Sequence, residues 1–354
     1  MRGEIPNPSI TPPDWSIQPS NIREIVGENG KPSFEFIIDP IRPENSIWRL
    51  DQVAYTISNR HPVHTTEISE KKDHLISQRK EQLDLKYRIA LQTWKEEGQQ
   101  GEPPPQPSFF DGQLVRLSPH EVYATYNINT GEPLLIIPLG RTSYFDYVAT
   151  RDLDRNKYSE SKMASPLGIC GVLTARDKNY QEYMIYTVRT TKTESYQGFF
   201  HVVGGMLARP QWDMASPTGG WIKELGEEAG IKEGEVEVEG SLGLVLDTYW
   251  FHPEFTHKAK LSVPLEEIFD KDGVKLKSRR ETDKEVELRA IPWDPNVVRA
   301  LILGRKVKNG DQDLRPWVPT GLANLLFAGG IDFGETWFNK TLKAYRKKIS
   351  LLRK

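Results

Sequence analysis

One cysteine, Cys170, is all that 354 residues contain. A single thiol can neither close a disulfide within a monomer nor build a cysteine zinc site. Its setting, the apolar run "GICGVL", reads as a small buried side chain. Long hydrophobic runs are missing as well. The longest, "PLLIIPLG", falls far short of the ~20 residues that a membrane-spanning helix needs. The opening "MRGEIPNPSITPPDW" has prolines and no apolar core, so it does not read as a signal peptide. A cytoplasmic protein with no membrane partner is the expectation. An excess of one charge is also absent: 47 Lys and Arg face 49 Asp and Glu, a formal net charge of −2. Nothing in that balance draws the whole chain toward nucleic acid or acidic lipid.

What the chain does have is uneven texture. Residues 1–32 are rich in Pro, Ser, Asn and Gly and read as an extended or disordered arm. Residues 33–107 hold the strand-like "SFEFIID" and a long polar helix from Glu67 to Glu97. In that helix Ile68, Leu75, Leu83, Ile89 and Trp94 recur at loose helical spacing. The proline cluster in "GEPPPQPS" reads as a linker. The helix reads either as a surface helix or as the contact of a homodimer. Residues 108–310 alternate short strand-like runs with two helices, 217–229 and "PNVVRALILG", and residues 311–354 end in a basic helix. Strands, a helix, more strands and a closing helix imply an α/β fold, a mixed sheet with helices packed on it.

The densest chemistry lies in "GFFHVVGGMLARPQWDMASPTGGWIKELGEEAGI". Ser216 suits a helix N-cap, Pro217 a first helical position and Gly230 a stop. Ile222, Leu225 and Ala229 form the expected core stripe, with Glu224, Glu227 and Glu228 on the other side. Glu224 and Glu228 are a like-charged i,i+4 pair, which costs a few tenths of a kcal/mol, ~0.2–0.5, unless something neutralises it. A divalent cation that prefers oxygen ligands would reverse that sign. Ahead of the helix, Gly204 and Gly205 end a strand and let backbone come close to a ligand.

These residues resemble a known pattern. "KELGEEAGI" looks like the second half of the Nudix box, Arg-Glu-apolar-X-Glu-Glu-X-Gly-apolar, and "FFHVVGG" resembles the strand and glycine pair ahead of it. The resemblance covers about residues 165–305. It implies a Nudix-like mixed sheet sandwiched by helices, with an added N-terminal helical and extended region. It also implies Mg2+ or Mn2+ held by Glu224, Glu227 and Glu228, and hydrolysis of the diphosphate linkage in a nucleoside diphosphate joined to another group. Glu228 or Glu281 would be the base, and Arg189, Gly204 and Gly205 would touch the substrate. The departures are specific. Lys223 stands where the family has Arg, Ala215 where it has a Glu, and the run from Gly205 to Lys223 is about four residues longer than the family's, with Asp213 near the missing acid. They touch the scaffold of the loop more than the metal ligands. A domain that binds a nucleotide as a sensor without cleaving it is the alternative reading.

Elsewhere the signals are plainer. The seven His are scattered, and "HPVH" and "HPEFTH" lack a partner at a familiar metal-binding offset, so structural or surface roles are expected. The tail "NKTLKAYRKKISLLRK" is basic, with Leu342, Tyr345, Ile349 and Leu352 on one face. It reads as a terminal helix docked by that face.

Overall fold

The computed structural model describes residues 25–26, 32–38, 49, 52–57, 61–107, 109, 111–118, 121–151, 153, 157–190, 196–208, 216–247, 250–269, 286–305 and 316–352. The expected arm, apart from Ile25, Val26 and Pro32, lies outside them.

Two sheets carry the chain. The larger comprises β1 (Ile25–Val26), β2 (Pro32–Ile38), β7 (Gly168–Arg176), β8 (Glu182–Arg189), β9 (Phe200–Met206), β10 (Val236–Asp247), β11 (His252–Leu261) and β12 (Val286–Pro292). Its order is β1-β2-β10-β11-β7-β9-β8-β12, and β7 also pairs with β8. The β7–β8 hairpin is closed at Leu173–Ile185 and opens further along. The first half of β9 then pairs with β8 at Tyr186–Val202, and its second half with β7 at Gly168–Met206. β11 lies parallel to β7, Glu254 beside Gly168. The smaller sheet is built on β6 (Pro133–Ser143), flanked by β3 (Val53–Ile57), β4 (Gln113–Leu117) and β5 (Tyr123–Tyr126).

The large sheet buries both faces, which gives the mixed α/β sandwich expected from the sequence. On one face lie helix α3 (Pro217–Ala229) and the small sheet. There Ile169, Leu173 and Val203 meet Trp221, Leu225, Val115 and Ile137. On the other face lie α4 (Pro295–Ile302), α5 (Pro319–Phe333) and α6 (Glu335–Leu352), which cover Cys170, Val172, Met184 and Val202. Alternation along β7 divides its side chains between the two faces, as a period of two requires. The basic tail is the docked helix expected, with Leu342 and Tyr345 buried.

Helix α1 (Thr66–Glu96) matches the long polar helix of the sequence, and Thr65 caps it by accepting the Ile68 N–H at 3.4 Å. Only its first turns are buried. Ile68 is fully enclosed with Ala149, Tyr158 and Met163, against α2 (Tyr144–Thr150). Lys72 Nζ binds Asp146 at 2.7 Å. Further along, Leu85 and Ile89 are exposed. Strand pairings join segments on either side of the proline-rich linker. β2 joins the large sheet beside β10, β3 joins the small one beside β6, and Phe109, at the far end of the linker, stacks on Phe145. No described helix is long and apolar enough to cross a membrane.

Ile68→Ala should therefore cost about 2–5 kcal/mol in urea unfolding, the usual cost of emptying an enclosed aliphatic site. Leu85→Ala, at an exposed position of the same helix, should stay within ~0.5 kcal/mol. Equal effects would mean that α1 is anchored elsewhere.

Candidate active site

Helix α3 forms where its local signals say. Ser216 Oγ accepts the Gly219 N–H at 3.3 Å, Pro217 opens the first turn, and Gly230 ends it at φ 65°. A positive φ suits glycine because it has no Cβ to clash. The buried stripe is Thr218, Trp221, Leu225 and Ala229, and the expected Ile222 is only half-buried. The larger indole has taken the centre of the interface. Trp221 is fully buried, donates its Nε1–H to the Val203 carbonyl at 3.0 Å, and stacks on His257 with ring centroids 5.0 Å apart. His257 Nε2 lies 3.2 Å from Thr218 Oγ1 and its Nδ1 3.2 Å from the Cys170 carbonyl oxygen. Burial lowers the His257 pKa to about 4, which keeps the ring neutral.

This packing brings α3 onto the glycine pair. A Cβ at Gly205 would lie 2.4 Å from Glu224 Oε2, so the carboxylate occupies the space that a side chain would need. The Gly204 N–H donates to Glu228 Oε2 at 3.3 Å. Gly204, Gly205, Glu224 and Glu228 are thus one unit at the end of β9. Glu227 is apart from them. It is exposed on the neighbouring stripe and pairs with Lys223 at 3.1 Å. Among the described residues, no three His, Cys, Asp or Glu side chains are gathered so as to hold a metal ion. Two half-buried carboxylates on one glycine pair still offer what a hard cation takes, since Mg2+ uses one or two carboxylates and keeps waters. Glu281, Asp213 and Ala215 lie outside the described residues.

Arg189 ends β8. Its backbone N–H binds the Phe199 carbonyl at 2.9 Å, and its charge acts on His201, His252 and Glu254. These three, with Cys170 and Asn324, form a buried polar cluster beneath α5 that the sequence pattern did not assemble. Cys170 donates to Glu254 Oε2 at 3.0 Å, and the Asn324 amide donates to Cys170 Sγ at 3.3 Å. His201 Nε2 and His252 Nδ1 each lie 3.7 Å from Glu254 Oε1. Burial pushes the Glu254 carboxyl up to about 7 against the hydrogen bond from Cys170, and pulls His252 down to about 3. The one available signal was "HPEFTH", whose alternate residues His252, Glu254 and Thr256 share one strand face.

No protein-family model matches the chain, and no curated protein matches it. Solved structures do align with part of it. A MutT/nudix family protein from Enterococcus faecalis has 16% identity and a TM-score of 0.26, over 36% of this chain and 43% of that one. The Nudix hydrolase RenU from M. smegmatis has 14% identity and a TM-score of 0.25, over 36% of this chain and 71% of that one. The C. elegans Ap4A hydrolase has 12% identity and a TM-score of 0.23, over 35% of this chain and 79% of that one. The chain thus spans less than half of the Enterococcus faecalis protein's length. Scores this low assign neither family nor activity, and the chemistry of the site rests on the chain's own residues.

The Glu254 pKa gives a pH test. Its folded value is raised from 4.5 to about 7, so its contribution to stability is full below about 4.5 and is lost as pH rises through about 7. The buried imidazoles work the other way, and they are common to parent and variant. Glu254→Gln should therefore gain on the parent between pH 5 and 8, by on the order of 3 kcal/mol in denaturant unfolding. A constant difference across that range would mean that Glu254 ionises normally.

Proposed function

We propose that the chain is a divalent-cation-dependent hydrolase of a diphosphate linkage in a nucleoside diphosphate joined to another group. The observation that carries this reading is the packing of Glu224 and Glu228 onto Gly204 and Gly205, which concentrates two half-buried carboxylates where backbone is open to close approach. Glu224 and Glu228 would hold Mg2+ or Mn2+, and Glu227 would be a third ligand only if it left Lys223. When bound, such a cation would supply charge neutralisation for the diphosphate and favour ionisation of water. Glu228 accepts the proton of the attacking water, a role that needs a carboxylate within hydrogen-bond reach of it. The hydrogen bond from Gly204 N–H holds that carboxylate in orientation. Trp221, wedged beneath the helix, keeps the carboxylate-bearing stripe at the strand end and excludes water from below. The protein is expected to work in the cytoplasm with a nucleotide-like small molecule as its partner.

A second reading, a nucleotide sensor that binds without cleaving, draws on the Lys223–Glu227 pair. That pair withdraws one carboxylate from the site and neutralises it.

A panel of nucleoside diphosphate conjugates with Mg2+ separates the two. For the hydrolase, Glu228→Gln should lower kcat by about 10²–10⁴, the usual range for loss of a general base, with a much smaller change in KM. Glu224→Gln with Glu228→Gln should also remove the thermal stabilisation that Mg2+ gives the parent. Tight binding of a conjugate that is recovered intact would overturn the hydrolase and leave the sensor.

A further inference from the structure

The N-terminus of α5 is built differently from that of α3. Its capping residue is Val318, which has no side-chain acceptor, and Pro319 occupies the first position. The N–H groups of its first turn have no acceptor within the helix, and its dipole is positive at that end. Buried polar atoms without a partner stand beside it. His201 is 5% exposed and its Nδ1 has no hydrogen-bond partner among the described residues, although it lies only 2.9 Å from where a Cβ on Gly321, in that first turn, would sit. Trp317, the residue before the cap, is 6% exposed, turns the Cε3 edge of its ring to Gly321, and has an indole N–H with no acceptor among the described residues. The segment around it is fixed on β9, with Phe200 N–H on the Pro316 carbonyl at 2.9 Å and Val318 N–H on the Phe200 carbonyl at 2.8 Å. Burying such groups unpaired forfeits their hydration without return, so unpaired groups at a helix N-terminus ask for an acceptor.

We propose that the N-terminus of α5, with His201 and Trp317, binds a tetrahedral oxyanion of the phosphate type on the face of the sheet opposite Glu224 and Glu228. An indole N–H can only donate, and helix N-terminal amides only donate, so the partner must be an acceptor. Arg189 adds positive charge to the neighbourhood, as its action on His201, His252 and Glu254 records.

Glu254 sets the orientation of His201. When Glu254 is ionised, its carboxylate, 3.7 Å from His201 Nε2, favours the tautomer with hydrogen on Nε2 and leaves Nδ1 an acceptor. When Glu254 is protonated, hydrogen on Nδ1 is released to face the helix and donates to the oxyanion. Binding therefore takes up a proton at Glu254 and weakens as pH rises through its titration. The groups that face Glu254 are Cys170 on β7, His201 on β9, His252 on the same strand and Thr320 on α5, with Arg189 on β8 and Asp247 on β10 acting through charge. Asp247 is itself engaged by the Tyr196 hydroxyl at 2.6 Å and the Trp250 N–H at 3.3 Å.

Sulfate is the clean probe, because it does not titrate between pH 6 and 8. Calorimetric titration of the full chain should show sulfate binding at pH 6 that weakens about tenfold by pH 8, as the protonated fraction of Glu254 falls. Trp317→Phe, which removes the indole N–H together with the five-membered ring that carries it, and His201→Ala should each weaken binding at least several-fold. Glu254→Gln should bind with little pH dependence. Glu224→Gln with Glu228→Gln should bind sulfate as the parent does, which keeps this test separate from the hydrolase reading. A nucleoside diphosphate that competes with sulfate would make the oxyanion part of a larger ligand, and free phosphate competing alone would make it an inorganic ion. No sulfate binding at pH 6, equal affinity in Trp317→Phe, or an unchanged pH profile in Glu254→Gln would each overturn the proposal. Should Trp317→Phe fail to fold, His201→Ala carries the same comparison.

Discussion

The candidate site depends on how closely α3 lies on strands β7 and β9, and missing side chains set that distance. A Cβ at Gly171 would meet the Trp221 ring at 2.5 Å, and one at Gly205 would meet the Glu224 carboxylate at 2.4 Å. With hydrogen at both positions the indole reaches the Val203 carbonyl, and the helix seats with Glu224 and Glu228 against the strand end. Methyl groups there would lift the helix, and the two carboxylates would rotate toward solvent, where Lys223 and Glu227 already lie.

The same strands serve both faces of the sheet. Along β7, Ile169 and Gly171 turn to α3, while Gly168 and Cys170 turn to the polar cluster beneath α5. Burying Glu254 with two neutral imidazoles and a thiol costs more than an apolar replacement would. Such groups gather where a proton or a ligand must be handled, and the pKa of Glu254 near neutrality fits a proton that is exchanged under ordinary conditions. Single residues touch both faces. His257, for example, stacks on Trp221 of one face while its Nδ1 meets the backbone of Cys170, whose thiol belongs to the other.

Much of this was legible in the residues. Ser216, Pro217 and Gly230 mark both ends of α3 by local chemistry that needs no tertiary context, and the alternating apolar runs from "GICGVL" to "FFHVVGG" give β7, β8 and β9. What stayed hidden depends on distant partners. Helix α5, "PTGLANLLFAGGIDF", carries Gly321, Gly329 and Gly330, which disfavour a helix locally and are outweighed by burial of Leu325, Leu326 and Phe327. The start of β11 is polar in sequence because His252, Glu254 and Thr256 face the buried cluster rather than solvent. The polar cluster itself draws on β7, β9, β11 and α5, which no local pattern unites. The joining of β2 and β3 to sheets beyond the proline-rich linker is likewise a matter of long-range pairing.

The central claim is that Glu224 and Glu228, seated on Gly204 and Gly205, form the cation site. Mn2+ titration followed by electron paramagnetic resonance tests it most directly, because the free ion's signal falls as the ion is bound. The account predicts that the parent removes about one equivalent of Mn2+, that Glu224→Gln with Glu228→Gln removes none, and that Glu254→Gln, on the other face, binds as the parent does. Equal Mn2+ binding by the parent and the Glu224→Gln with Glu228→Gln variant would contradict it.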